Sequence, residues 1–339
     1  MMSRLFEKLS ACNRKLVFGT HSGTFHCDEV VAISMLQMLV PEFDLVRSRD
    51  PAVLEKADLI VDVGGVFDTE SFRFDHHQRG FGEFFSEDYK AVTRLSSAGL
   101  IYKYFGRDLL QKVYSVSDSM LEKAFLRVYD KFICSVDAID NGVDIADKRK
   151  YSVNTDLASR IGRLNPAWNE DAEDENERFR KAMAIASEEI HAQIHGVVKI
   201  WLPARVIVQE AYAKRFDYHP SGHVLKLSQF CPWIEHLADI EEAREEVLGE
   251  KRKPVEPEVL FGVFTDTTGQ FRVRAVPKER GSFENKLSFP ERLCGLRDAD
   301  LDAKTGIQGM VFVHQSGFIA GTKTEFGALA LIDLTLQDL

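Results

Sequence analysis

A chain of 339 residues exceeds the size at which one hydrophobic core usually stops growing, so two domains are expected. With 45% apolar and 28% charged residues and no long uninterrupted apolar run, it reads as a globular protein without a membrane span. The net charge of −10, from 43 Lys and Arg against 53 Asp and Glu, argues against broad wrapping in nucleic-acid backbone but leaves room for a narrow basic groove. Five widely spaced cysteines without a C-x-x-C pair point to a reducing, intracellular compartment rather than a disulfide framework.

The first residues carry Arg4, Lys8, Arg14 and Lys15 against Glu7, which suits a frayed leader better than a short mitochondrial presequence. From Lys15 to about Asn165, short aliphatic runs alternate with amphipathic segments, the pattern of a mainly parallel sheet flanked by helices. Leu16-Val17-Phe18-Gly19 reads as a strand. A polar loop with His21 and His26 follows, then a helix whose first turn holds Cys27, Asp28 and Glu29. Cys27 is expected to pack rather than to ligate. The run Asp58 to Gly65 delivers Asp62 near a strand end, and two glycines let backbone or ligand come close. Arg73-Phe74 then leads into Asp75-His76-His77.

Phe81, Phe84 and Phe85 follow the triplet and suit anchoring of a loop better than stacking of a base. Ser96 or Ser97 is expected to cap a helix over 98–110, either as an ordinary cap or as a helix start that binds phosphate. A second helix is expected over 120–134, followed by the acidic cluster Asp137 to Asp140. Acid concentrates over 170–177 and 239–250, which reads as solvated helix faces.

Apolar residues at steps of three and four from Phe179 to Trp201 predict one long helix over 172–201, with His191 and His195 on its surface. Beyond Arg205 come strand pairs around Asp266-Thr267-Thr268-Gly269 and Gln315-Ser316, a stiff charged loop over 251–257, and a closing helix over 327–334. The expected organisation is α/β: a metal-binding catalytic domain over 14–170, a connecting helix over 171–205, and a smaller α+β substrate-grip domain over 206–339.

In an open α/β sheet, ligands bind outside the carboxyl ends of parallel strands, where residues distant in sequence meet. His21, His26, Asp28, Asp62, Asp75, His76 and His77 all fall at such ends, and one aspartate of the 137–140 cluster completes the set. Mixed imidazole and carboxylate ligands suit Mn²⁺, with Zn²⁺, Fe²⁺ or Mg²⁺ as alternatives, and there are too many for one ion. Two ions could share Asp62 as a bridging carboxylate, with His21, His26, Asp28 and His76 as further ligands and no side-chain nucleophile. Asp137 is the first choice for the last ligand, and Asp140 the alternative.

These residues resemble the motif series of the DHH phosphoesterase superfamily. More narrowly, the stretches 20–29, 73–79, 96–100, 312–319 and Lys323-Thr324 look like the melanocyte proliferating gene 1 family, so the likeness covers nearly the whole chain. Two departures stand out: Ser22 where Asn is usual, and Leu293-Cys294-Gly295 where Trp-Arg-Gly is expected, which weakens substrate grip there.

The resemblance implies a two-domain, DHH-type, metal-dependent hydrolase, described in eukaryotic members as a 3′ to 5′ RNA exonuclease of nucleus and mitochondria. It also implies that His77 faces the phosphate, and that Asp75 orients His76 or supports the ligands from behind. Substrate grip is expected from Arg272, Arg274, Arg297, His314 and Lys323, the last in a glycine-bearing loop of the kind that holds substrate in this superfamily.

The expected partner is single-stranded RNA, a short oligonucleotide or another small phosphate ester, bound by a monomer or a homo-oligomer. A pyrophosphatase or nucleotide phosphoesterase with the same metal centre is the alternative. A non-catalytic metal-binding regulatory protein is a further one.

Overall fold

The computed structural model describes residues 3–11, 14–170, 174–248 and 257–338, and divides into one unit up to Lys199 and another from Ile200. The charged loop expected over 251–257 lies, apart from Pro257, outside the described residues.

In the first unit, α1 (Ser3–Ser10) precedes β1 (Leu16–Thr20), α2 (Cys27–Leu39), β2 (Phe43–Arg47), α3 (Pro51–Leu54), β3 (Leu59–Val61), β4 (Phe67–Asp68) and β5 (Arg73–Phe74). The sheet order is β2-β1-β3-β5-β4, parallel throughout except where β4 runs antiparallel to β5. That mainly parallel sheet is the expected one. Parallel strands need both faces covered, and the sequence supplies apolar helices to do it. α2 is buried at every position from Cys27 to Leu36, which is why its apolar residues do not confine themselves to one stripe. It packs against α4 (Ser97–Asp108) and α8 (Glu175–His195).

α5 (Asp118–Val128) continues through a π-turn at Tyr129–Ile133 into α6 (Cys134–Asp140), and α7 (Leu157–Gly162) follows. The acidic cluster expected after the helix over 120–134 instead lies within its continuation, on the last turns of α6. There Asp137 and Asp140, three apart, are offset by about 60° around the helix and about 4.5 Å along it, so they meet different neighbours: Ser96 for Asp137 and His76 for Asp140.

The helix expected from Ala172 is described from Glu175, residues 171–173 being outside the described set. It buries Phe179, Met183, Ala186, Ile190 and Ile194 within the first unit's core, widens into a π-turn at Gly196–Trp201, and resumes as α9 (Leu202–Ala213). Its length is thus a packed core element rather than a free connector, and the unit boundary falls inside the π-turn.

The second unit continues with α10 (Arg215–Tyr218), β6 (Val224–Lys226), α11 (Ile234–Leu248), β7 (Phe261–Thr265), β8 (Phe271–Ala275), α12 (Asp298–Thr305), β9 (Met310–Val313), β10 (Ile319–Thr322) and α13 (Glu325–Leu336). Its sheet order is β6-β7-β8-β10-β9, antiparallel except for the β6–β7 pair. Both expected hairpins are present, and Asp266 closes the first by accepting from Thr268 and Gln270. Among the described residues, no helix is long and apolar enough to cross a membrane.

Candidate metal centre

The ends of β1, β3 and β5 and the first turn of α2 bring imidazoles and carboxylates together. His21, just past β1, is buried, and its Nε2 lies 3.0 Å from Glu29 Oε1 and 3.3 Å from Asp62 Oδ2. Asp62 follows β3 with φ of 58°, a left-handed conformation that Asp tolerates better than most residues and that turns its carboxylate into the cluster. His76 Nε2 lies 3.2 Å from Asp62 Oδ1, 3.3 Å from Asp140 Oδ2 and 3.7 Å from Asp28 Oδ2. His26 is the N-cap of α2, where its backbone N–H donates to Glu29 at 2.8 Å.

Three groups of side chains offer ligand atoms within 4.8 Å of one another: His21, His26, Glu29 and Asp62; Asp62, His76 and His77; and His26, Asp28 and Asp140. Asp62 and His26 each belong to two of them.

His21 Nε2, His76 Nε2 and Asp28 Oδ1 are buried without a well-directed hydrogen bond, and such atoms are costly unless something is bound to them. Burial opposes charge on His21, but the Asp62 and Glu29 carboxylates overcome it and raise the imidazole to about 10. His76 is raised too: burial disfavours its charge, and Asp62 and Asp140 outweigh that.

Burial pushes Asp28 well above its usual range, and the charges of Asp62 and Glu29 push it further. Asp140 is likewise raised, by burial and by Asp62 against the pull of His76. Asp62 goes the other way: burial opposes its charge, but the close imidazoles of His21 and His76 outweigh that and hold it below the usual carboxylate range. Crowded carboxylates with orphaned imidazole nitrogens are short of positive charge, and the residues present fit divalent metal.

Several expectations need correcting here. Asp137 is fully buried, and its carboxylate accepts from Ser96 N and Oγ at 2.9 and 2.7 Å, from Gly99 N at 3.0 Å and from Tyr129 Oη at 2.9 Å. It anchors the start of α4, whereas Asp140 is the aspartate that joins the histidines.

Ser96 and Ser97 are buried and engaged, not open to phosphate. Ser97 Oγ donates to Asp62 at 3.0 Å and its N–H to Asp28 at 3.2 Å, so it orients two carboxylates. Asp75 orients His77 rather than His76: its Oδ1 is 2.9 Å from His77 Nδ1, and its other oxygen accepts from Gly65 N–H. His77 keeps a side chain 61% exposed on this fixed hinge.

Glu29 and Arg49 stand beside the cluster, a placement that sequence reasoning missed. Glu29 was legible as the acid three residues after a helix N-cap, the capping-box position, but only the fold shows it facing His21. Arg49 lies beyond β2 and bonds Ser22 O at 3.2 Å, with its Nη2 3.1 Å from His21 Nδ1. It lines a cavity of about 350 Å³ with His21, His26, Asp62, Asp75 and His77. His21 Nδ1 also lies 3.2 Å from the Ser22 carbonyl, a backbone contact that Ser provides as well as Asn would.

Cys27 is buried, and burial with the Asp28 and Glu29 charges pushes its thiol up, as packing requires. Phe85 stacks on Tyr129 at 3.5 Å and Phe81 meets Phe67 edge-on, so these rings anchor a loop. His191 bonds Tyr114, and neither it nor His195 joins a ligand group among the described residues.

Of the expected grip residues in the second unit, Arg272 is paired with Asp266 at 2.5 Å. Arg274, Arg297 and Lys323 have no carboxylate partner among the described residues. Cys294 packs beside Gly317, where an added Cβ would come 3.2 Å from its sulfur, so the cation expected in that loop is replaced by a close-packed thiol.

Two expected results follow from these contacts. Ser97→Ala should weaken divalent-metal affinity by about 10- to 100-fold, as loss of a ligand's supporting hydrogen bond does, read from the metal dependence of the melting temperature. Burial pushes Asp137 up to about 7, against its donors. A carboxyl raised on folding contributes stability that is full below its unfolded pKa of 3.8 and is lost as pH rises through the folded value. The stability difference between the wild type and Asp137→Asn in urea should therefore shrink from pH 4 to pH 7.

An α/β unit with a histidine–carboxylate centre at its parallel strand ends defines a hydrolase of the metal-dependent kind. The family model MYG1_exonuc, described as "Uncharacterised protein family (UPF0160)", matches residues 17–336. The chain is 43% identical over 329 residues to the MYG1 exonuclease of Homo sapiens, covering 94% of this chain and 85% of that one. It is 41% identical to the MYG1 protein of Dictyostelium discoideum, covering 95% and 97%. The chain belongs to the MYG1 exonuclease family. The crystal structure of RecJ in complex with Mg²⁺ from Thermus thermophilus aligns with 99% of this chain and 52% of that one at 14% identity. The TM-score of that alignment is 0.23.

Proposed function

We propose that the chain is a two-metal phosphodiesterase that removes nucleotides from the 3′ end of single-stranded RNA or from short oligonucleotides, with Mn²⁺ as the favoured ion. The observation that carries this reading is the pair of shared ligands, Asp62 and His26, in three overlapping groups of metal-binding atoms. One ion cannot use them all. Two divalent ions held there would supply a nucleophilic water and offset the charge that gathers on the phosphate.

The chain's own side chains do the remaining work. Asp62 spans the first two groups, and Asp140 and Asp28 hold the third with His26. Asp75 accepts from His77 Nδ1, and with Nδ1 so held a His77 imidazolium would donate its Nε2–H to a phosphate oxygen. Arg49 adds a fixed positive charge on the same cavity wall. RNA as the polymer rests on likeness to the family.

The test is product analysis on a labelled oligoribonucleotide beside pyrophosphate, with Mn²⁺ and with EDTA. Metal-dependent release of single nucleotides from the 3′ end is expected, and His76→Ala should abolish it. Hydrolysis of pyrophosphate alone would transfer the centre to the alternative substrate class. A His76→Ala protein as active as wild type would end the enzymatic reading.

A further inference from the structure

Between α6 and α8 the first unit displays aromatic and basic side chains that its core does not use. Trp168 is 96% exposed, although an indole ordinarily hides most of its large apolar surface. Its display is built in. Glu170 closes the turn that carries it, accepting from Ala167 N–H at 2.9 Å and pairing with Arg178 at 3.0 Å, while its own N–H donates to the Ala167 carbonyl. Three residues before the indole, the Asn165 amide accepts from Phe25 N–H at 2.9 Å and donates to Phe25 O at 2.8 Å. Phe25 immediately precedes His26, which belongs to two of the three groups of metal-binding atoms. Three residues span at most about 11 Å of chain, so this tether keeps Trp168 beside the loop that carries His26.

A second segment starts from the same centre. It leaves α6 just after Asp140 and ends at Asp156, the N-cap of α7, which packs against α2. Every residue from Gly142 to Thr155 is exposed, and among the described residues no backbone–backbone hydrogen bond involves 144–155. So loosely held a strap gains order only from what it touches. Tyr151 is 77% exposed on it. Arg149 pairs with Asp144 inside the strap, whereas Lys148 and Lys150 have no carboxylate partner among the described residues. From 143 to 168 the chain carries five Lys and Arg against three Asp, in a protein whose net charge is −10. A net-acidic protein that holds a polyanion must concentrate its cations, and this stretch does so next to the metal centre.

A partner that uses a rigidly displayed indole, a second ring on a loose strap and spaced ammonium groups is a single strand, with stackable bases and regular phosphates. We propose that the strap over 143–154 and Trp168 form a track for the single strand behind the nucleotide being removed. Trp168 and Tyr151 stack on bases, and Lys148 and Lys150 neutralise phosphates. The inference rests on the phosphodiesterase reading above and extends it from the bond that is cut to the length of strand that is held. Oligonucleotides long enough to reach the track are therefore bound in preference to dinucleotides.

The experiment measures binding by the full chain in EDTA, apart from hydrolysis. A labelled single-stranded oligoribonucleotide and a labelled dinucleotide are titrated by fluorescence anisotropy, and tryptophan emission is followed with unlabelled strands. Of the three tryptophans, Trp201 and Trp233 are buried, so quenching by a stacked base reads Trp168. The oligoribonucleotide should quench the emission and bind more tightly than the dinucleotide.

Trp168→Ala, at an exposed position that does not burden folding, should abolish the quenching and weaken oligoribonucleotide binding by about 5- to 150-fold. Trp168→Phe, which keeps a ring, should restore most of the affinity. Replacing both Lys148 and Lys150 by Gln should lower the slope of log affinity against log salt by about 1.4, the value for two single-strand phosphates. Equal wild-type affinity for the two ligands, unchanged affinity in Trp168→Ala, or an unchanged salt slope in the double variant overturns the assignment. If Trp168→Ala binds RNA normally but sediments as a smaller species, the indole is a contact between copies and the track is lost. A chain that binds the oligoribonucleotide through Trp168 but hydrolyses nothing with Mn²⁺ keeps the track and loses the phosphodiesterase reading. One that hydrolyses oligoribonucleotides with the same KM in Trp168→Ala does the reverse.

Discussion

Asp62→Asn is expected to lower metal-dependent hydrolysis by more than about 100-fold, because it removes a shared ligand where loss of an outer hydrogen bond alone costs up to that much. The substitution keeps the shape of the side chain. Asn also tolerates the left-handed backbone at this position, and the N–H bond to Phe74 O at 3.2 Å is retained, so the fold should survive. The same variant should lose the stabilisation that metal gives the wild type, about 2.7 kcal/mol at a free concentration 100 times Kd. Melting curves with Mn²⁺ and with EDTA measure it. Equal metal-induced shifts in both proteins would show that Asp62 holds no ion.

Gly99→Ala is the largest effect expected on folding. A Cβ at this position would stand 2.3 and 2.4 Å from the two oxygens of Asp137, far inside contact distance. The glycine is needed for space, since its backbone is ordinary helix. An alanine must push the carboxylate off the start of α4, leaving Ser96 and Gly99 N–H groups and the Tyr129 hydroxyl unmet in a dry interior. Overpacking costs roughly 1–3 kcal/mol, and each buried unmet group adds about 1–3 more, so a loss above about 3 kcal/mol is expected in urea unfolding. Gly196→Ala is the control. Nothing lies within 4 Å of its added Cβ, and the change should stay within about 1 kcal/mol.

The mainly parallel first sheet was readable because each short aliphatic run ended in residues that cannot continue a strand, and those same residues are the polar ones of the centre. The hairpins of the second unit were readable from turn chemistry such as Asp266 to Gly269. The aspartate choice was not. Asp137 and Asp140 are chemically identical and three residues apart, and only the path of α6 past α4 decides which one turns to Ser96 and which to His76. Arg49 was hidden for a similar reason, since nothing local marks an arginine after β2 as a neighbour of His21. Arg272 shows the reverse: side-chain type suggested a free cation, and Asp266 from its own hairpin pairs with it.

What the amino-acid order determined by itself is the kind of chemistry. Imidazoles and carboxylates placed at the ends of aliphatic runs are a local property, written by period and composition. What only the tertiary structure decided is the division of labour among them. Ligand, orienting partner and helix anchor differ by angstroms and by burial, and these depend on contacts between segments far apart in the chain, such as Ser97 with Asp62 and Asp137 with Ser96.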